Sequence, residues 1–534
     1  MKGKLKRFRK LKKEMSPNMA DLISGKLSLL DCVFPSLMFP LLMAILAIAW
    51  YGRRTKSGAA LPPGPRGLPL LGSLPFLDPQ LHRYFAELAG TYGPIVSARL
   101  GSKLCVVVNS VSLAKEILKD QDAILANHLE TGRLRAIRKG GKGLGWANYS
   151  SQWRMHRKLA VSEILNSSKL DIFKDLRRGE IRFMVRQVYG KIDAPVNLAD
   201  LMLVTMLDVI TGMLWGGTFR EDERRRLAAE LRPVVNDVLE VFARFDVFEF
   251  FPVLPRFDLL GLVRRTDELA TRLHRILDAV IDQRLAMYRS GETGDKDFLQ
   301  LLLKTTEENE DQKMPMTTSD VKASFTDLIM ASVDTSVNTM QWVMTRLLQY
   351  PEIMRKAQQE VEQVVGNDHI VEEVHLSKLH YLNAVIKETL RLHPPTPLML
   401  PRTPREPCKV GGYKVPMGSS VFVNMWAIQR DPQVWDNPLE FRPERFLSST
   451  TKWDYSGNDL HYFPFGSGRR ICIGVAVADR MLSYTLASLV HSFEWRLPEG
   501  TKIDLTETPG MITKKATPLV AVPTPRLTVP ELYF

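Results

Sequence analysis

From Thr317 to Tyr350 the chain carries neither glycine nor proline, and the run stops at Pro351. Without a breaker it predicts a single helix roughly 50 Å long at 1.5 Å per residue. A helix of that length crosses a whole domain, so every other element has to be arranged around it. Its middle departs from its apolar ends. DLIMASVDTSVNTMQW sets Ser332, Asp334, Thr335, Ser336, Asn338 and Thr339 among hydrophobic residues. A mid-helix Thr335 can bond back to the carbonyl of Ala331 and bend the helix. An acid beside an alcohol in a buried setting can relay protons, whereas a solvated polar face would carry the same letters.

The rest of the body supports a mainly α fold with a minor β part. Helix-period segments dominate from Pro79 to about Glu388. PIVSARLGSKLCVVVN reads as a hairpin with Gly101 at its turn, and CKVGGYKVPMGSSVFVN brings strands and turns between Thr396 and Asn424. No boundary resembles an interdomain linker. Of the net charge of +13, the first fourteen residues supply +7 from eight Lys/Arg and one acid, leaving +6 for the other 520. No basic–aromatic alternation of the kind a nucleic-acid groove needs is present, so no nucleic-acid partner is expected.

The chain divides into a basic extension over 1–31, an uncharged span over 32–51, a Pro-rich hinge over 52–78 and a large unit over 79–534. The span, Cys32–Tyr51, suits one membrane-crossing helix in which Pro35 and Pro40 are tolerated. A cleaved signal peptide fits less well, because the apolar run is too long. GRRTK after the span favours a cytosolic body, while the basic N-terminus pulls the other way. Either the early residues lie upstream of a start at Met15 or Met19, or they form an organelle-targeting extension. LPPGPRGLPLLGSLP would then hold the body at a set angle to the membrane.

FPFGSGRRICIG, Phe463–Gly474, sets Cys472 among three glycines and beside two arginines, just ahead of the apolar run IGVAVADRMLSYTLASLV. Cations and a helix N-terminus favour a thiolate. The four cysteines are too scattered for a zinc site or a disulfide framework. A redox thiol, an ordinary loop cysteine and a thiolate ligand to heme iron remain. In KETLRLHPP, Glu388 and Arg391 share a helix face, with Arg445 in FRPERF a candidate further partner. In WRMHRK, Trp153 and Arg157 share another face and could bind a carboxylate, the indole N–H donating. Ordinary amphipathic helices would carry both pairs equally well.

Taken together, these pieces resemble the cytochrome P-450 superfamily of heme-thiolate monooxygenases from the hinge to near the C-terminus. Phe465, Gly468, Arg470, Cys472 and Gly474 match its heme loop. The Glu388–Arg391 pair, FRPERF and the Trp153/Arg157 helix lie upstream in family order. DFLQLLL, VNMWAIQRDP and FFPVLPRFDLLG are similar to the plant microsomal branch. The resemblance implies a cytochrome P-450 fold: one large heme domain behind an N-terminal transmembrane helix. Heme b would lie between the long helix and the helix after Cys472, the axial thiolate. Phe465 would shield the sulfur side, and Trp153, Arg157, Arg402 and Arg470 would bind the propionates. Glu388, Arg391 and Arg445 would form a structural lock, and Asp334 and Thr335 the proton-delivering pair. NADPH-cytochrome P-450 reductase would supply electrons, at an endoplasmic reticulum membrane with the catalytic domain cytosolic.

Two positions depart from the family pattern: Ser332 and Ser150 stand where glycines are usual. Segments matching the family's substrate-contact zones are mostly apolar, with Phe242, Phe245, Leu398, Met399, Met511 and Ile512. They suggest a small hydrophobic substrate such as a mono- or sesquiterpenoid, to be hydroxylated or epoxidised. LETGRLRAIRKGGKG disagrees, with Arg133, Arg135, Arg138, Lys139 and Lys142. These are read as a solvated face, or else as a surface for an oxygenated substrate, which keeps a phenolic or flavonoid hydroxylase as the alternative. A non-oxygenating heme-thiolate isomerase or dehydratase is the other rival.

Overall fold

The computed structural model describes residues 60–244, 246–251, 257–291, 297–308, 316–447 and 453–534. The expected anchor at 32–51, the basic extension and Phe245 lie outside them.

The breaker-free run is one helix, Thr318–Gln349. Thr317 starts it with a capping box. Its hydroxyl accepts from the Asp320 N–H at 3.2 Å, while the Asp320 carboxylate accepts from the Thr317 N–H at 3.0 Å. Pro351 opens the next helix, Pro351–Val365, at a position where a missing N–H costs nothing. The polar middle is half-buried at Ser332, Asp334 and Thr335 and buried beyond them. Ser336, Asn338 and Thr339 are all at most 5% exposed. The hydroxyls of Ser332, Thr335 and Thr339 donate to the carbonyls of Leu328, Ala331 and Thr335 at 2.6, 2.7 and 2.9 Å. The backbone stays helical throughout and the solvated-face reading is set aside.

Leu198–Trp215 packs most extensively on this central helix. Among the described residues it is the one helix long and apolar enough to cross a membrane. It is apolar all round because 78% of it is buried inside the body. The helices His380–Leu392 and Val475–Ser492 also lie against the central helix, and all four share one core.

The β part is mainly a five-stranded sheet, in the order Ile95–Leu100, Lys103–Val108, Ser420–Val423, Arg402–Thr403, Asn127–His128. Its first two strands form the expected hairpin, with Gly101 at φ +57°. The parallel pairing of Lys103–Val108 with Ser420–Val423 joins the two ends of the body. The antiparallel pairing of Arg402–Thr403 with Asn127–His128 places Arg402 opposite His128.

The basic segment is only in part the solvated face expected: Arg135, Lys139 and Lys142 are exposed. Arg133 and Arg138 are buried. Arg133 donates to the carbonyls of Val241 and Arg244, both at 2.9 Å, and faces Glu249 at 3.3 Å. Arg138 donates to Leu134 and pairs with Glu130, and Lys139 pairs with Asp267. The cations fasten neighbouring elements together, because a buried guanidinium requires acceptors for its fork of donors.

Phe325 is fully buried on the central helix, with Trp215 and Phe298 each at a ring separation of 5.7 Å. Phe325→Ala should lower stability by about 3–5 kcal/mol through lost transfer energy and the cavity left behind. Chemical denaturation of the purified protein would measure this.

Candidate functional site

The cysteine loop is shaped by close backbone approach. Gly466 and Gly468 have φ of +78° and +73°. A Cβ at Gly468 would stand 2.1 Å from the Leu118 carbonyl oxygen, so only glycine closes the loop there. The Cys472 N–H donates to the Phe465 carbonyl at 2.9 Å, and the Gly474 N–H donates to the Cys472 sulfur at 3.3 Å. The helix Val475–Ser492 begins three residues after the cysteine, with Gly474 at its N-cap position. Burial pushes the Cys472 thiol up, opposed by the Gly474 N–H and by Arg157. Yet the residue is exposed. Ala331, in the middle of the central helix, is exposed too, although Ile329 and Val333 beside it are fully buried. Both present surface within the body, as residues lining a ligand chamber do.

The cation acting on the thiol comes from across the fold, not from the adjacent arginines. Arg157, on the helix Ser151–Ala160, donates to the Ile471 carbonyl at 2.5 Å. Arg469 turns to the Tyr149 hydroxyl and to Asp122. Arg470 donates to the carbonyls of Ala126 and Ala147, with its guanidinium 4.0 Å from the Trp153 ring. Arg402, fully buried, pairs with Asp122 at 2.9 Å and donates to the Ser467 carbonyl. Burial, with Arg402 and Arg157 nearby, brings Arg470 down to about 9. Its Nη1 is buried without a hydrogen-bond partner. Arg402 pairs closely with the Asp122 carboxylate, Arg469 lies 3.7 Å from it, and Arg157 and Arg470 lie within its field. Four guanidiniums to one carboxylate, with a free donor, fit a ligand with two carboxylates.

The Trp153 indole N–H donates to the Leu144 carbonyl at 2.9 Å, so the ring serves as a platform for Arg470 and not as the free donor expected. Ser150, the departure from glycine, caps this helix by accepting from the Trp153 N–H at 3.1 Å. Phe465 packs edge-on against Tyr455.

Glu388 and Arg391, on the helix His380–Leu392, form a bidentate pair at 2.7 and 2.9 Å with no exposure on either side. Arg445 joins at 3.1 Å, and the Arg442 N–H donates to the same carboxylate. The remaining Arg391 donors reach the carbonyls of Gln429, Pro438 and Glu440. Every charge in the cluster has partners, which is what makes its burial tolerable.

On the central helix, burial raises the Asp334 carboxyl, and Lys514 at 2.7 Å opposes the shift. Thr335, next to it, is half-buried. Phe242 lies under the Arg133 guanidinium at the end of the helix Glu221–Ala243. Leu398, Met399, Met511 and Ile512 are half-buried. Thr513 is tied to Pro395 at 2.9 Å, so the two segments that carry them are neighbours. Sequence reading missed Asp122 and Lys514, since nothing local in KDQDAI or ITKKAT distinguishes either from a surface charge.

A cysteine loop at the head of a buried helix, a surrounding cluster of arginines and a long polar-centred helix define a heme-thiolate enzyme. The cytochrome P450 family model matches residues 62–522. Flavonoid 3'-monooxygenase CYP75B137 of Crocosmia x crocosmiiflora is 36% identical over 496 residues, 91% of this chain and 97% of its own length. Cytochrome P450 76C1 of Arabidopsis thaliana is 36% identical over 514 residues, 94% of this chain and 98% of its own. A zebra fish cytochrome P450 structure with abiraterone superposes at TM-score 0.70 and 24% identity, covering 83% of this chain and 99% of that one. The chain belongs to the cytochrome P450 family and is of the plant type. It is a monooxygenase with heme b as cofactor, and the donor set above fits that group.

Glu388→Gln leaves Arg391 and Arg445 buried without a countercharge. Stability should fall by about 3–5 kcal/mol, which thermal unfolding would register.

Proposed function

We propose that this enzyme inserts one oxygen atom into a small hydrophobic metabolite, with Cys472 as the axial thiolate of its heme. The unpartnered Arg470 Nη1 within a cluster of surplus positive charge carries this reading, because it sets a dianionic ligand beside the cysteine loop. Arg157, Arg402 and Arg470 would hold the two propionates of the heme, with Trp153 packed against the Arg470 guanidinium. Phe465 shields the sulfur side, and the Gly474 N–H donates to the sulfur. Heme held by a thiolate would supply oxygen activation there, the sulfur donating electron density to the iron. Asp334 carries protons inward and the Thr335 hydroxyl passes them to the reacting site. Glu388, Arg391 and Arg445 lock the proximal side. NADPH-cytochrome P450 reductase delivers the electrons, and Cys32–Tyr51 anchors the chain in the endoplasmic reticulum membrane.

The apolar set Phe242, Leu398, Met399, Met511 and Ile512 supports a terpenoid substrate. The ion pairs of Arg133 and Arg138 strengthen that reading, since those cations are already used within the protein. A flavonoid is the second reading. It is favoured by relatives named flavonoid 3'-monooxygenase, among them one from Petunia hybrida at 34% identity over 510 residues.

Two measurements test these assignments. Cys472→His should abolish turnover and displace the Soret band of the reduced, carbon monoxide-bound holoprotein. An unchanged band would remove Cys472 from the metal. Optical titration of the ferric enzyme with a sesquiterpene hydrocarbon and a flavanone in parallel separates the substrates. A saturable low- to high-spin shift with the terpene alone supports the first class, and one with the flavanone alone replaces it by the second.

A further inference from the structure

Asp334 does not stand alone on the central helix. The hairpin formed by Glu507–Thr508 and Lys514–Lys515 is laid across the same helical face. Asn338, one turn beyond Asp334 and only 3% exposed, grips the hairpin on both sides of Lys514. Its amide nitrogen donates to the Thr513 carbonyl at 2.8 Å, and its amide oxygen accepts from the Lys515 N–H at 3.2 Å. The backbone on either side of Lys514 is therefore fixed by a single side chain. The lysine then reaches back one turn, and its Nζ lies 2.7 Å from Asp334 Oδ1. Further ties keep the hairpin in place. Glu507 accepts from His393 at 3.1 Å, and the Thr513 N–H donates to Pro395. His393 is stacked on Trp342 of the central helix at 3.8 Å. Lys514 is the one charged group acting on Asp334 among the described residues.

The tip of this hairpin carries Met511 and Ile512, and Gly510 approaches the Ala243 carbonyl next to Phe242. One short segment thus holds two of the proposed substrate contacts and the counterion of the proposed proton carrier. We infer that Lys514, pinned by Asn338, is a positioning residue that holds and aims the Asp334 carboxyl group, and so links the seating of substrate at the hairpin tip to proton supply. This rests on the proton-carrying role proposed for Asp334. Lys514 acts through the carboxylate it contacts.

A buried carboxyl resists ionisation, and an ammonium in contact favours it. Losing Lys514 should therefore move the acid limb of the pH profile upward, because Asp334 would take up its proton at higher pH. The test uses the full-chain holoenzyme with NADPH-cytochrome P450 reductase in membranes and 7-ethoxycoumarin as probe substrate. The variants are Lys514→Met, Lys514→Arg, Asp334→Asn and Asp334→Asn/Lys514→Met. The readouts are product formed per NADPH across pH, the solvent deuterium isotope effect and the optical dissociation constant of the probe.

Lys514→Met should shift the acid limb upward, enlarge the isotope effect and lower the product ratio severalfold. Lys514→Arg should restore all three. The double variant should match Asp334→Asn, since the lysine acts only through the acid. A wild-type limb and isotope effect in Lys514→Met would overturn the inference while leaving Asp334 in its role, and so would a change confined to probe affinity. Wild-type coupling in Asp334→Asn would overturn the proton-carrying role itself, and the inference with it.

Discussion

Arg391 is a charge with no exposure to water, and the proximal half of the molecule is organised by the need to satisfy it. A buried guanidinium holds its place only when its donors and its charge are all answered. Glu388 supplies the charge, and the carbonyls of Gln429, Pro438 and Glu440 supply acceptors. Those carbonyls come from an irregular stretch that has no ladder of its own. Gln429 carries the arrangement onward: its amide nitrogen reaches the Leu390 and Arg391 carbonyls, and its amide oxygen accepts from the Phe463 N–H at the head of the cysteine loop. The loop's position is thus referred back to a helix that never touches the sulfur.

The site uses a second imbalance of charge. Arg157, Arg402 and Arg470 come from three separate parts of the chain and meet around Asp122. With Arg469 also facing Asp122, cations outnumber the one anion there and leave an electrostatic demand that the protein does not answer itself. The basic segment after Glu130 shows the opposite arrangement at two of its cations: Arg133 and Arg138 are spent on carboxylates and carbonyls of adjacent elements, while Arg135, Lys139 and Lys142 stay exposed.

Much of this was legible in the letters. The long helix followed from a breaker-free run, the hairpin from alternation about Gly101, and the Glu388–Arg391 pair from a spacing of three. The buried state of the polar run at Ser336–Thr339 was not legible, because exposure depends on which elements cover a face. Nor was the origin of the cation at Cys472. Arg469 and Arg470 are its neighbours in sequence, but a tight loop with two positive φ angles turns them away, and Arg157 arrives from a distant helix.

The sequence by itself determined the elements and the chemistry they can carry: the long helix, the glycine-shaped cysteine loop and the residue types able to hold a metal, pair a charge or pass a proton. Those follow from local rules of backbone freedom and spacing. Only the tertiary structure decided the partnerships, among them Asp122 with Arg402, Lys514 with Asp334, and Asn338 with both flanks of Lys514. Each joins residues more than a hundred positions apart. No local pattern encodes such a meeting, because the burial that makes each partner necessary arises only once the elements have packed.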